Sequence, residues 1–186
     1  KKEIMEQLPN QGHAFNAHSS RKKMLPAGPA HAQLAATTGV AAYLDTVYQH
    51  HFSETVDQAE KGRQLKALFQ THERSLLAKL LEWLRQRDDI EIVGPDDPTL
   101  RASTVAVIPK KKSIDEVCTV LAAKQLMVGQ GSFYSVRPLK GMNIPVDTGV
   151  LRMTFLHSTN EDEIDQLIDG LAAALDNPIA SSNKKQ

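Results

Sequence analysis

A single cysteine, Cys118, in 186 residues leaves no internal disulfide framework and no CxxC metal site. Net charge is also absent: 22 Lys+Arg balance 22 Asp+Glu, so nothing draws the whole chain to nucleic acid or anionic lipid. The basic runs Arg21-Lys22-Lys23 and Lys110-Lys111-Lys112 are short, and solvated loops account for them. The longest stretch without Lys, Arg, Asp or Glu, Met24 to Leu44, is broken by Pro26, Pro29, His31, Gln33, Thr37 and Thr38, which argues against a membrane span. The opening Lys-Lys-Glu-Ile-Met-Glu-Gln-Leu has no signal-peptide h-region, and a reducing, cytoplasmic location is expected. There is no Gly-rich phosphate loop, HExxH, GxSxG or EF-hand loop, and no internal repeat. Of seven histidines, His50 and His51 are adjacent and would point about 100° apart on a helix; the rest are scattered, and no metal site is expected.

Periodicity organises what remains. Residues 1–8 suggest a short helix stopping at Pro9, and 9–28 a long irregular segment. Pro29 suits a first helical turn, and Leu34, Val40, Ala41, Leu44 and Val47 form an apolar stripe on an Ala-rich helix expected to be buried on more than one side. A second helix is predicted at about 61–87, from Leu65, Leu68, Phe69, Leu76, Leu80, Trp83 and Leu84. Ile90–Val93 and Ser103–Ile108 read as strands around a turn-rich loop. Ser113 with Glu116 opens a third helix in a capping box, and Asn160 with Glu163 starts the last one. Leu126–Val128, Phe133–Val136 and Val150–Leu156 are further strand candidates, and the tail after Asn177 reads as frayed. The order implies an α+β layer: a small, mostly antiparallel sheet covered by helices on one face.

Arg152 stands inside the apolar strand Val150–Leu156, where alternation sets it beside Val150, Thr154 and Leu156, against Leu151, Met153 and Phe155. A guanidinium there is either paired with a protein carboxylate or turned towards a pocket, where its planar fork suits bidentate binding of a ligand carboxylate. Periodicity leaves both readings open.

The segment from Gly149 to Ile168 resembles the carboxy-terminal strand and helix of class V aminotransferases and cysteine desulfurases, fold-type I pyridoxal-phosphate (PLP) enzymes. There an Arg in a hydrophobic strand precedes an aromatic-Asn-Thr turn and Glu-x-Asp on a helix. The turn departs from the pattern, with Ser158-Thr159-Asn160 in its place. Gln11-Gly-His-Ala-Phe-Asn16 and Pro26-Ala-Gly-Pro-Ala-His31-Ala resemble elements of a desulfurase-like subfamily. Pro29 stands where ordinary class V enzymes have a phosphate-touching Thr, and it has neither hydroxyl nor N–H.

The resemblance implies that residues 1–60 end the large PLP-binding domain, that 61–180 form the carboxy-terminal small domain, and that 181–186 are a disordered tail. It implies an amino-acid substrate, a homodimer, and a preceding large-domain segment with the Schiff-base lysine. No catalytic residue is then expected in this chain, nor PLP covalently bound to it. The family's α-carboxylate-binding role falls to Arg152. His31 and Tyr134 are further candidates for contact with substrate or cofactor, Tyr134 standing where one branch of desulfurases has its cysteine. A non-catalytic dimerisation or binding module is the alternative.

Overall fold

The computed structural model describes residues 2–16, 18–19, 22–24 and 30–176. Two compact units divide between Leu65 and Lys66.

The first unit is helical. Helix α1 spans Lys2–Gln7, a 3-10 turn covers Ala14–Asn16, α2 runs His31–His51, and the first turns of α3 (Gln58–Arg85) close it. Tyr48 is buried near the end of α2; its hydroxyl donates to the Glu54 carbonyl at 3.1 Å and lies 3.0 Å from Gln64 Oε1. The Lys61 ammonium pairs with Asp45 and stands 5.3 Å from the Tyr48 ring centre. The expectation of a helix buried on more than one side is corrected: Leu34, Val40 and Tyr43 are exposed, and Tyr48 is the buried residue of α2. Hydrophobic periodicity marks a face able to pack, and it carries no information on where the packing partner resides. Pro29, and with it the proposed first helical turn and most of the Pro26–His31 element, lies outside the described residues, as does the tail from Asn177.

The second unit is built on the later turns of α3. Leu76, Leu77, Leu80, Leu81 and Leu84 recur at helical spacing and are all within 1% of full burial. Each contributes about 1.5–3 kcal/mol relative to exposure. They meet a four-stranded antiparallel sheet of β1 (Ile90–Val93), β2 (Thr104–Pro109), β3 (Gly129–Gly131) and β4 (Val150–Thr154), in the order β1-β2-β4-β3. Val105, Val107, Leu151 and Met153 line the face turned to this core. Helices α4 (Ile114–Ala123) and α6 (Glu161–Asp176) complete it with Val117, Leu121, Ile164 and Leu171. The opposite face carries a smaller cluster of Leu139, Ile144 and Val150, with Val93, Ala106, Ile108, Phe133 and Val146 packed against it.

The expected capping box at Ser113 forms, and Asn160 with Glu163, expected to start the last helix, makes a second one. Ser113 Oγ accepts from the Glu116 N–H at 3.2 Å while Glu116 accepts from the Ser113 N–H at 2.8 Å. Asn160 and Glu163 exchange the same bonds at 2.9 and 2.8 Å. Two strand expectations are corrected. Leu126–Val128 is not a strand, because α4 ends in a left-handed Gln125 (φ 61°) with Leu126 N–H donating to the Leu121 carbonyl and Gln125 N–H to that of Ala122. Strand β3 instead starts three residues later than expected, at Gly129. Phe133–Val136 is a turn entering a short helix, α5 (Val136–Gly141). That helix ends the same way: Asn143 is left-handed (φ 58°), and Ile144 N–H reaches the Leu139 carbonyl at 2.9 Å.

At the end of α3, Arg87 forks onto the Asp89 carboxylate at 2.8 and 2.7 Å and also bonds Asp176. Asp89 is only 7% exposed, and the guanidinium hydrogen bond holds its carboxyl below the usual carboxylate range.

Candidate functional site

Pleat alternation sends Leu151 and Met153 into the core and leaves Arg152 on the other face of β4. Its direct neighbours across the ladder are Ala106 on β2 and Gly129 on β3, the two smallest side-chain choices available. The guanidinium therefore has lateral room on the sheet. Its Cζ lies 3.7 Å from the centre of the Phe133 ring, a close cation–π stack. No ion pair joins Arg152 to a carboxylate among the described residues. It is half-buried and stacked on one side, and its N–H donors along the guanidinium edge meet no acceptor among the described residues.

The loop that supplies Phe133 is conformationally unusual. Phe133 (φ 49°) and Tyr134 (φ 60°) are consecutive left-handed residues, following Gly131 at φ 119°. Non-glycine residues in this region cost about 1–2 kcal/mol each. Tyr134 is fully exposed and Phe133 half-buried. Gly149 anchors the base of the loop: a Cβ there would stand 2.1 Å from the Gly131 carbonyl carbon.

The structure thus brings Phe133 to Arg152 and sets Tyr134 next to Phe133 along the chain. His31, the first residue of α2, is exposed and belongs to the first unit. A cleft of about 430 Å³ opens beside the neighbouring row of the sheet, lined among others by Ile108, Asp115, Gln130, Asp147 and Thr148; it does not include Arg152. Arg152 is half-buried on the sheet face that carries the smaller cluster.

Two contacts have no signal in the sequence. Phe133 makes one; composition predicts a strand there, and a stack across the fold leaves no spacing pattern. The other belongs to Arg101, whose guanidinium donates to the carbonyls of Pro95 at 2.6 Å, Thr104 at 3.1 Å and Val93 at 3.5 Å. It closes the loop between β1 and β2 where the ladder ends. Burial pushes its pKa below the ordinary arginine value, with Asp96 opposing, and its Nε is buried without an acceptor among the described residues.

The turn after β4 is held from α3. His72 Nε2 lies 2.7 Å from the Thr159 carbonyl oxygen, and the His157 ring stacks on Phe69 at 4.0 Å. These histidines are committed to packing at the turn. No group of three or more His, Cys, Asp or Glu is arranged to hold a metal among the described residues, and no described helix is long and apolar enough to cross a membrane.

Among the described residues, Lys61, Lys79 and Lys112 are not placed as a covalent PLP site requires. Such a site needs an amine desolvated towards neutrality. Lys61 is tied to Asp45, and Lys112 donates to the Ala174 carbonyl at 2.7 Å. Lys79 is hydrogen-bonded to Asp165, which raises its pKa and keeps it an ammonium. Cys118 is half-buried in the middle of α4 against the main core, and burial pushes its thiol pKa up. That is the environment of an inert thiol.

The model of one family, described as aminotransferase class-V, matches residues 59–167. The aminotransferase-like protein FGM3 of Gibberella zeae is 26% identical over 178 residues, covering 94% of this chain and 41% of that protein. The apo cysteine desulfurase of Thermococcus onnurineus NA1 shares the fold at a TM-score of 0.55 and 17% identity, over 63% of this chain and 28% of that one. A NifS-like protein from Rickettsia africae ESF-5 does so at 0.52 and 14%, over 64% and 32%. The chain spans less than half the length of each of these relatives.

Proposed function

The chain belongs to the aminotransferase class-V family, and on that footing we propose that it is the carboxy-terminal, substrate-recognising part of a PLP-dependent enzyme acting on an amino acid. In this reading the preceding large domain supplies the lysine and the cofactor site, residues 61–180 form the small domain, and the whole works as a cytoplasmic homodimer. Arg152 grips the substrate's α-carboxylate through two parallel N–H···O bonds. One observation carries the assignment: the guanidinium is stacked on Phe133 and meets no protein carboxylate among the described residues. A structural ion pair, the competing reading of an arginine in an apolar strand, therefore lacks a partner there. Tyr134, fully exposed on the adjoining loop, and His31, exposed at the start of α2, are assigned to contacts with substrate or cofactor in the assembled enzyme. Persulfide chemistry is not assigned to Cys118, whose thiol is held protonated and packed on a helix.

Removing Arg152 tests the reading directly. In the whole protein, Arg152→Ala lowers kcat/KM for an amino-acid substrate about 30- to 1000-fold, the worth of a charge-assisted bidentate pair in a partly dry site. The same variant leaves turnover of the decarboxylated amine analogue unchanged. Equal losses on both compounds would remove the carboxylate role.

A second reading, a non-catalytic dimerisation or binding module, draws on the exposed apolar residues Leu34, Val40 and Tyr43 of α2. Sedimentation across a concentration series distinguishes it: a module of this kind self-associates without cofactor or substrate.

A further inference from the structure

A half-buried arginine on a sheet face still samples several rotamers unless something fixes its plane, and that freedom is lost each time a ligand binds. Here an aromatic ring fixes it. The Phe133 ring lies 3.7 Å from Arg152 Cζ, and it is brought there by a backbone turned through the left-handed region at φ 49°. Beneath the ring is Gly129, Arg152's own neighbour across the β3–β4 ladder. A Cβ at position 129 would stand 3.0 and 3.1 Å from two carbons of the Phe133 ring and 3.8 Å from Arg152 Nη2. Ring and guanidinium thus converge over one bare position. The π contact occupies a face of the guanidinium and leaves its in-plane N–H donors free.

We propose that Phe133, seated on Gly129, is a positioning residue that pre-orients the Arg152 guanidinium so that a substrate carboxylate meets it edge-on. The proposal rests on the carboxylate-binding reading of Arg152 and adds the group that makes the fork rigid. It also assigns a reason to the unfavourable backbone at Phe133: the chain must turn left-handed there for the ring to reach the sheet.

The test uses L-alanine and ethylamine as probes, titrated into the protein while the Arg152 Nε–H resonance is followed by NMR. In the wild type that resonance is displaced by the ring current of Phe133, and L-alanine moves it further while ethylamine does not. Phe133→Leu keeps an apolar side chain in the small cluster but removes the π face. It should abolish the ring-current displacement and weaken L-alanine about 3- to 30-fold, with the thermal midpoint of the second unit close to wild type. Gly129→Ala should act in the same direction, and Phe133→Tyr should restore binding. If Phe133→Leu binds L-alanine as the wild type does, the ring merely packs and the proposal is overturned. Should Arg152→Ala leave L-alanine binding intact, the carboxylate reading itself fails, an outcome separate from the first.

Discussion

Tyr134 offers its whole side chain to solvent while its backbone sits at φ 60°, so nothing in the described contacts repays the conformation. Tyr134→Gly should therefore raise stability, by about 1 kcal/mol, seen as a higher urea midpoint with an unchanged slope. A fall in stability would mean that the tyrosine packs within the chain after all. If the same variant also loses activity in the whole protein, the exposed ring is used by a ligand. Arg152 is legible in the sequence alone because a charge inside Val-Leu-Arg-Met-Thr-Phe-Leu interrupts an apolar strand and demands a partner. Its partner is not. Phe133 lies on a different element, and no local pattern announces that an aromatic residue adopts positive φ where glycine is usual. Arg101 is equally silent, since three backbone carbonyls at a loop mouth have no sequence signature.

Caps decide which elements can be read. The reciprocal bonds of Ser113 with Glu116 and of Asn160 with Glu163 are written locally, three residues apart, and both helix starts fall where that spacing puts them. Strands β1, β2 and β4 are legible from alternation, whereas β3 is Gly-Gln-Gly and owes its existence to its partner β4. The left-handed helix end at Gln125 and the left-handed pair Phe133 and Tyr134 explain why two expected strands are absent, because each reverses a chain that looks extended by composition. Asn143 followed by Pro145 is the available hint for α5. Gly149 tests how tightly β3 and β4 meet. Gly149→Ala combines positive φ with a Cβ pressed against the Gly131 backbone, and should destabilise the unit by about 2–4 kcal/mol. Hydrogen exchange should quicken first at Gly129–Gly131. Wild-type protection there would mean that the two backbones can separate without consequence.

Carboxylates set the acid limit of the second unit. Hydrogen bonds from Arg87 lower the pKa of Asp89 and Asp176, and bonds from Ser113 lower that of Glu116. Groups depressed in the folded state stabilise fully above their unfolded pKa, near 4, and lose that contribution as pH falls through the folded value. The thermal midpoint should hold from pH 7 to about 5 and decline progressively below about 4, with Asp89→Asn flattening the decline. An identical acid limb in that variant would detach the Arg87–Asp89 pair from stability. At this scale the α+β layer, with its antiparallel sheet and helices α3, α4 and α6 on one face, is legible from element order. The exposure of α2 is not, since amphipathic spacing does not say which polypeptide supplies the cover.

The strand order also has a kinetic consequence. Thr104 of β2 and Thr154 of β4 face each other although 50 residues separate them. Closing a loop of that length costs about 3.5 kcal/mol of chain entropy beyond a fixed term, while β1 and β2 meet across a much shorter connection. Pairings between distant segments slow folding. The β1–β2 ladder and the self-capped α4 can form within their own neighbourhoods, but β4 must be captured from afar. Arg152 rides on that late strand, so the guanidinium reaches its place on the sheet only when the slow closure is complete.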